Sequence, residues 1–228
     1  GLSVTGNVMI DRRALGEPCN VVLEDRRDMD RLKAWARAGR ENGTHLWMQI
    51  NHPGKQAPAA LNRETVSPSA VPFSDPNLKR FFHVPRALTV DEIADLVRRF
   101  GETAALAKEA GFSGVQIHGA HGYLVSQFLS PRHNRREDAY GGSAENRRRF
   151  VLEVYDEIRR RVGGDFPVSI KLNSADFQKG GFTEEESLAV VEALDARGID
   201  LIEISGGTYE APRMAGQGQR ESTRRREA

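Results

Sequence analysis

The sequence predicts an α/β fold built on a parallel sheet, and two observations carry that expectation. Short β-rich runs alternate with amphipathic stretches of helical period along the chain, and glycines punctuate the ends of the helical stretches. The repeated order strand, loop, helix, glycine, strand requires parallel strands joined by helical crossovers. Strands are expected at 2–10, 45–50, 114–117, 167–172 and 200–205. The last three are short apolar runs, as expected where helices cover a sheet.

The helical stretches follow in order. The first, 29–42, ends at Gly43. In the second, 91–110, Ile93, Leu96, Val97, Phe100, Ala104 and Ala107 recur at three- and four-residue steps. Thr89 and Glu92 make a capping-box pattern at its start and Gly111 stops it. The third, 144–161, puts Phe150, Val154, Tyr155 and Ile158 on one face, with Gly163-Gly164 behind it. Thr183 and Glu186 repeat the capping box before the apolar run 188–194, which stops at Gly198. The connection 52–88 is long and Pro-rich, and its stretch 67–72 is expected to lie extended over the surface. Five strands cannot close an eight-stranded barrel, which takes about 250 residues. Either the 228 residues are a fragment of one or they form an open sheet.

Composition narrows the function classes. The 33 Lys and Arg nearly balance 32 Asp and Glu, so nothing calls for a polyanionic partner. Arginine triplets at 147–149, 159–161 and 224–226 alternate with acids and lack an aromatic ladder, which argues against nucleic-acid binding. The single Cys19 can neither form an internal disulfide nor anchor a metal or iron–sulfur site alone, and suits a reducing cytoplasm. No membrane span or export leader is expected.

The densest chemistry lies in Gln116-Ile117-His118-Gly119-Ala120-His121-Gly122-Tyr123, directly after an apolar strand. Two imidazoles and a phenol there offer two hydrogen-bond donors and a proton at one point, suited to a substrate oxygen on which charge develops. The alternative is that one histidine is a core residue, the other a surface residue, and Tyr123 packing. Ends of the other strands supply Gly6, where a flat ligand can approach the backbone, then Gln49, Lys171 and the turn Ser205-Gly206-Gly207. A glutamine can pair with a ring presenting a carbonyl beside an N–H, and a lysine can stabilise electron density on a reduced heterocycle. For Gln49 the alternative is a buried amide satisfied by backbone; for Lys171 it is a salt bridge to Asp176 or Glu203.

The run from His118 through Gln127-Phe128-Leu129-Ser130-Pro131 resembles the active-site strand and loop of the old yellow enzyme family. Asn134-Arg135-Arg136-Glu137-Asp138-Ala139-Tyr140-Gly141-Gly142-Ser143, Glu145-Asn146-Arg147-Arg148-Arg149-Phe150 and Gln49-Ile50-Asn51-His52-Pro53-Gly54-Lys55-Gln56 are similar as well. The resemblance spans essentially the whole chain. It implies one domain, 1–228, that is an incomplete (β/α)8 TIM barrel covering roughly the second to sixth βα units. It also implies truncation at both ends, with the loops that hold the FMN phosphate beyond the chain. By the same resemblance the function is reduction of activated C=C bonds, in enones or nitro compounds, with hydride from NADH or NADPH through non-covalent FMN. Tyr123 then takes the place of the proton donor, and His118 and His121 of the pair that binds the substrate oxygen. Gln49, Lys171 and Gly6 fall at flavin-contacting positions, Lys171 standing where relatives often have arginine. No metal is expected, and open sheet edges would favour pairing into a homo-oligomer. The alternatives are the barrel domain of a larger flavin/iron–sulfur reductase of the dienoyl-CoA reductase type, or a non-catalytic fragment unable to hold FMN.

Overall fold

A computed structural model describes residues 1–211; the basic run expected at 220–228 and the third arginine triplet lie outside the described residues. The chain runs β1 (Leu2–Met9), β2 (Val21–Val22), α1 (Met29–Gly39), β3 (His45–Asn51), β4 (Val66–Ser67), α2 (Pro76–Lys79), β5 (Arg86–Ala87), α3 (Val90–Ala110), β6 (Gly114–Gly119), α4 (Leu124–Leu129), α5 (Ala144–Val162), β7 (Val168–Asn173), α6 (Glu184–Asp195) and β8 (Leu201–Ser205). Six strands form one parallel sheet in the order β2-β1-β3-β6-β7-β8. All five expected strands are in it. β4 and β5 form a separate parallel pair.

The pleat divides the side chains of these strands into two sets. Val8, Ile10, Met48, Ile50, Val115, Ile117, Val168, Ile170 and Leu172 face the helices and are fully buried in one apolar core. Against them pack Ile93, Phe100, Ala104 and Ala107 of α3, and Phe150, Val154 and Ile158 of α5. Phe150 stacks on Phe128 with centroids 4.1 Å apart and meets Phe100 edge-on at 6.3 Å. Gly101 lets α3 and α5 approach, since a β-carbon there would stand 2.7 Å from Glu157 Cγ. Both capping boxes are formed, at Thr89/Glu92 and Thr183/Glu186, and Gly111 ends α3 at φ +94°.

Three expectations need correction. Helix α1 stops at Gly39 rather than Asn42, because Asn42 sits at φ +57° and the chain tightens into a 3-10 turn over Glu41–Gly43. The stretch 67–72 lies only partly over the surface: Ala70 and Pro72 are exposed, but Ser67 and Pro68 are buried. Arg136 Nη1 donates to Pro68 O at 2.9 Å, and Ser67 Oγ donates to Gln127 Oε1 at 3.2 Å. Its proline-rich composition set the backbone extended, but β5 and the half-buried Arg136 gave that backbone partners. Third, α4 was not expected at all; its six residues are too short to show a helical period.

Candidate active site

β6 extends to Gly119, two residues beyond the apolar run, so His118 stands on the strand and not on the loop. Gly119 pairs with Leu172, and a β-carbon there would press on Ile170 at 2.9 Å and on Lys171 O at 3.0 Å. The chain then reverses through two left-handed residues, His121 at φ +61° and Gly122 at φ +79°. At Gly122 a side chain would also meet Gln56 Oε1 at 2.8 Å. Gln127 secures the reversal: its Nε2 donates to Gly122 O at 2.7 Å and to Pro53 O at 3.2 Å, while its Oε1 accepts from Lys55 N–H at 3.2 Å.

This reversal brings Tyr123 back against His118. Their ring centroids are 4.7 Å apart, and those of His118 and His121 are 5.1 Å apart. Ala120 N–H donates to His118 Nδ1 at 3.3 Å, which leaves the proton of the neutral ring on Nε2. His121 Nε2 lies 2.7 Å from Ser205 Oγ, and its backbone N–H donates to Asn173 Oδ1 at 3.2 Å. Burial drives His118 well below the ordinary histidine range, and repulsion from His121 and Lys171 adds to it. Burial, with the Lys171 charge, also pulls His121 down to about 4, against the opposing pull of Glu203. At neutral pH both rings are therefore uncharged donors. Burial raises the Tyr123 phenol above its ordinary range, neighbouring Tyr209 adds to this, and Asn7 opposes it. The phenol keeps its proton.

Beside this trio, on the same sheet face, runs a row of polar side chains. Gln49 Nε2 donates to Gln116 Oε1 at 2.7 Å, Gln116 Nε2 donates to Glu203 Oε2 at 3.0 Å, and Lys171 Nζ pairs with Glu203 Oε1 at 2.8 Å. The salt bridge with Glu203 expected as the alternative for Lys171 is thus formed. Asp176 is engaged elsewhere, accepting from Ser130 Oγ at 2.5 Å and Phe182 N–H at 3.1 Å. Burial opposes ionisation of Glu203, but hydrogen bonds from Lys171 and Gln116 hold it below the usual carboxylate range. Gly6 sits at a register shift in β1, where Thr5 Oγ1 accepts from Gln49 N–H at 3.0 Å. Space beside Gly6 is open for 4 Å.

Several buried polar atoms around this face have no hydrogen-bond partner: Asn7 Oδ1, both amide atoms of Asn51, Gln56 Nε2 and Gln178 Oε1. Each such atom costs about 1–3 kcal/mol when left unpaired. Asn7 and Asn51 share this face with the open Gly6 and with Lys171, an arrangement that fits a flat polar heterocycle such as a flavin. A cavity of about 520 Å³ lies elsewhere, lined by Asp11, His52, Asn62, Thr65 and Arg86; none of His118, His121 and Tyr123 lines it.

Sequence reasoning gave no role to Asn7, Gln116 and Tyr209, and named Ser205 only as part of a strand-end turn and Glu203 only as a salt-bridge partner for Lys171. A signal existed for two of them. Gln116 lies two residues before His118 and so shares its face, and Glu203 precedes Ser205 in the same way. Asn7 faces Gln49 only through an irregular register, and Tyr209 follows the last strand without periodicity.

The family model described as the NADH:flavin oxidoreductase / NADH oxidase family matches residues 1–227. The NADH-dependent flavin oxidoreductase nadA of Aspergillus parasiticus is 41% identical over 215 residues, 92% of this chain and 48% of that protein. The NADH oxidase of Thermoanaerobacter brockii is 38% identical over 92% of this chain and 32% of its own length. Among solved structures, an old yellow enzyme homologue from Zymomonas mobilis superimposes with TM-score 0.81 at 25% identity, over 95% of this chain and 65% of that one. A 2-naphthoyl-CoA reductase complex gives TM-score 0.85 at 32% identity, over 92% of this chain and 33% of that one. The chain thus spans about a third to a half of the curated relatives it matches, and its parallel sheet is a part of a (β/α)8 barrel. On sequence and on architecture together, this chain belongs to the NADH:flavin oxidoreductase / NADH oxidase family, whose cofactor is FMN.

Proposed function

We propose that the protein reduces carbon–carbon double bonds conjugated to a carbonyl or nitro group, and that His118, His121 and Tyr123 are its substrate-side machinery. The convergence of those three side chains, two neutral imidazoles and a protonated phenol, is the observation that carries this reading. Bound FMN, reduced by NADH or NADPH, supplies the hydride.

The imidazole N–H groups of His118 and His121 hold the substrate oxygen, and their grip tightens as negative charge grows on it. Because both rings are neutral, they stabilise that charge without surrendering a proton. Tyr123 Oη delivers the proton to the carbon next to the activating group, on the side away from hydride delivery. Gln49, Lys171 and Gly6 would hold the flavin: Gln49 through its amide, Lys171 through its ammonium, and Gly6 by leaving room. Lys171 brings Glu203 with it, so the local charge the flavin meets is partly neutralised.

Tyr123→Phe tests the assignment. Enone reduction slows by about 10²-fold or more, the usual worth of a positioned acid, whereas flavin reduction by the nicotinamide stays near normal. Equal loss in both half-reactions would remove Tyr123 from this role.

A second reading has its own support: the chain covers only a third of the NADH oxidase and of the 2-naphthoyl-CoA reductase it resembles. The protein would then be the barrel portion of a larger flavin and iron–sulfur reductase. Iron and acid-labile sulfide in the purified full-length protein would favour that reading over the simpler ene-reductase.

A further inference from the structure

Beyond β8 the chain makes a tight turn whose two tip residues serve different ends. Thr208 and Ala211 exchange backbone hydrogen bonds at 3.3 and 3.0 Å, and Thr208 bridges to His121, so Tyr209 and Glu210 stand at the tip. Glu210 enters a buried pocket. Its Oε1 accepts from Ser74 N–H at 2.7 Å, and its Oε2 lies 3.5 Å from Lys55 Nζ. Lys55 is 2% exposed, 3.1 Å from His133 Nδ1 and 4.3 Å above the Phe73 ring. A buried ion pair of this kind is lost at high cost if one partner is removed.

Tyr209 takes the other direction. Its hydroxyl lies 3.0 Å from that of Tyr123, with ring centroids 6.1 Å apart, and Phe82 flanks it on its far side at 6.4 Å. Tyr123 is only 9% exposed, whereas Tyr209 is 42% exposed. One hydrogen bond therefore links the buried phenol to that of a partly exposed tyrosine. Neither His118, held neutral, nor the amide of Asn7 has an acidic proton to return to Tyr123.

We infer that Tyr209 is a positioning residue, the outer member of a two-phenol relay that recharges Tyr123, and that the Glu210–Lys55 lock fixes its place. This rests on the reading of Tyr123 as the proton donor. The steps balance without any redox partner. The Tyr123 O–H bond breaks as the new C–H bond forms; the Tyr209 O–H bond breaks as Tyr123 O–H is restored; and the Tyr209 oxygen takes its proton back from water. A phenol has one donor and two acceptor sites, so Tyr123 can point its proton at substrate while accepting from Tyr209.

The test uses Tyr123→Phe, Tyr209→Phe and the double variant in FMN-loaded full-length protein, with tyrosine labelled at ring carbon ζ for NMR titration of the resting enzyme. Tyr209→Phe lowers kcat for enone reduction on the order of ten-fold, the worth of one hydrogen bond. Neither KM nor flavin reduction by the nicotinamide changes. The double variant is no slower than Tyr123→Phe, because Tyr209 acts only through Tyr123. In the titration the Tyr123 resonance moves to lower pH in Tyr209→Phe, since the neighbouring Tyr209 raises the Tyr123 pKa. Glu210→Gln, which leaves both phenols in place, shifts rate and titration in the same direction. The relay is overturned by a Tyr209→Phe enone rate equal to wild type, by additive losses in the double variant, or by an unmoved Tyr123 titration. If Tyr123→Phe itself costs nothing, the proton-donor reading falls and takes the relay with it, even where the titration still couples the two phenols.

Discussion

The two faces of the main sheet share the same strands yet obey opposite rules. On the helix-covered face, Met48, Ile50, Val115, Ile117, Ile170 and Leu172 are fully buried and wholly apolar. On the other, alternate residues of the same strands are Gln49, Asn51, Gln116, His118, Lys171 and Asn173, several of them equally buried. The unpaired amide atoms of Asn7 and Asn51 sit with this second set. One face is optimised for the folded chain by itself, and the other is left incomplete for something the chain receives. Buried polar atoms without partners are a stability cost that a bound polar group offsets.

The comparison breaks first at its strongest point. Phe150→Ala on the apolar face removes a fully buried ring stacked on Phe128, and stability falls by about 3–5 kcal/mol in denaturant unfolding. His118→Ala on the polar face should divide the effects the other way. Enone turnover falls on the order of 10²–10³-fold, as when a donor to a developing oxyanion is removed, while the thermal midpoint falls far less than in Phe150→Ala. Comparable losses of stability in the two variants would erase the distinction between the faces.

Acidification gives a smaller effect at the polar end of the strands. His52 follows β3, is buried, and accepts from Gly54 N–H at Nδ1, 3.0 Å away; burial lowers its pKa from 6.5 to about 4. The native state thus holds the neutral ring, and unfolding takes up a proton below about pH 6.5. Stability from this group is complete above pH 6.5 and declines as pH falls toward 4, by up to about 1.4 kcal/mol per pH unit. Urea unfolding between pH 7 and 5 measures the slope, and a His52→Gln protein that keeps all of it would assign it elsewhere.

The least change in stability is expected at Asn51. Asn51→Leu exchanges two orphaned buried atoms for an apolar side chain of similar size, so the midpoint of the FMN-free protein holds or rises slightly. FMN binding, followed by flavin fluorescence, weakens. A clear drop in the FMN-free midpoint would mean that Asn51 serves the fold and that the polar face is not reserved for a ligand.

Legibility followed periodicity. Strands 45–50 and 114–117 and the long helices were readable because a repeating apolar face leaves a repeating signal, and the capping boxes at Thr89 and Thr183 marked two starts to the residue. His118, His121, Gln49 and Lys171 were readable as chemistry at strand ends. Helix α4 and the β4–β5 pair were not, because two or six residues carry no period; Ser67 of β4 bonds to Gln127 of α4, 60 positions away, and Arg136 bonds to Pro68 beside it. Tyr209 was invisible for the same reason: its partner lies 86 positions away.

Sequence by itself determined the alternation of strand and helix, the apolar face, the helix caps and the residue types of the site, because these follow from local spacing and composition. Tertiary structure decided which nitrogen of His118 keeps its proton, that His121 and Gly122 turn left-handed to fold Tyr123 back, and that a second phenol meets the first. Those features arise from contacts between segments distant in the chain, where burial and hydrogen-bond geometry, not sequence spacing, set the outcome.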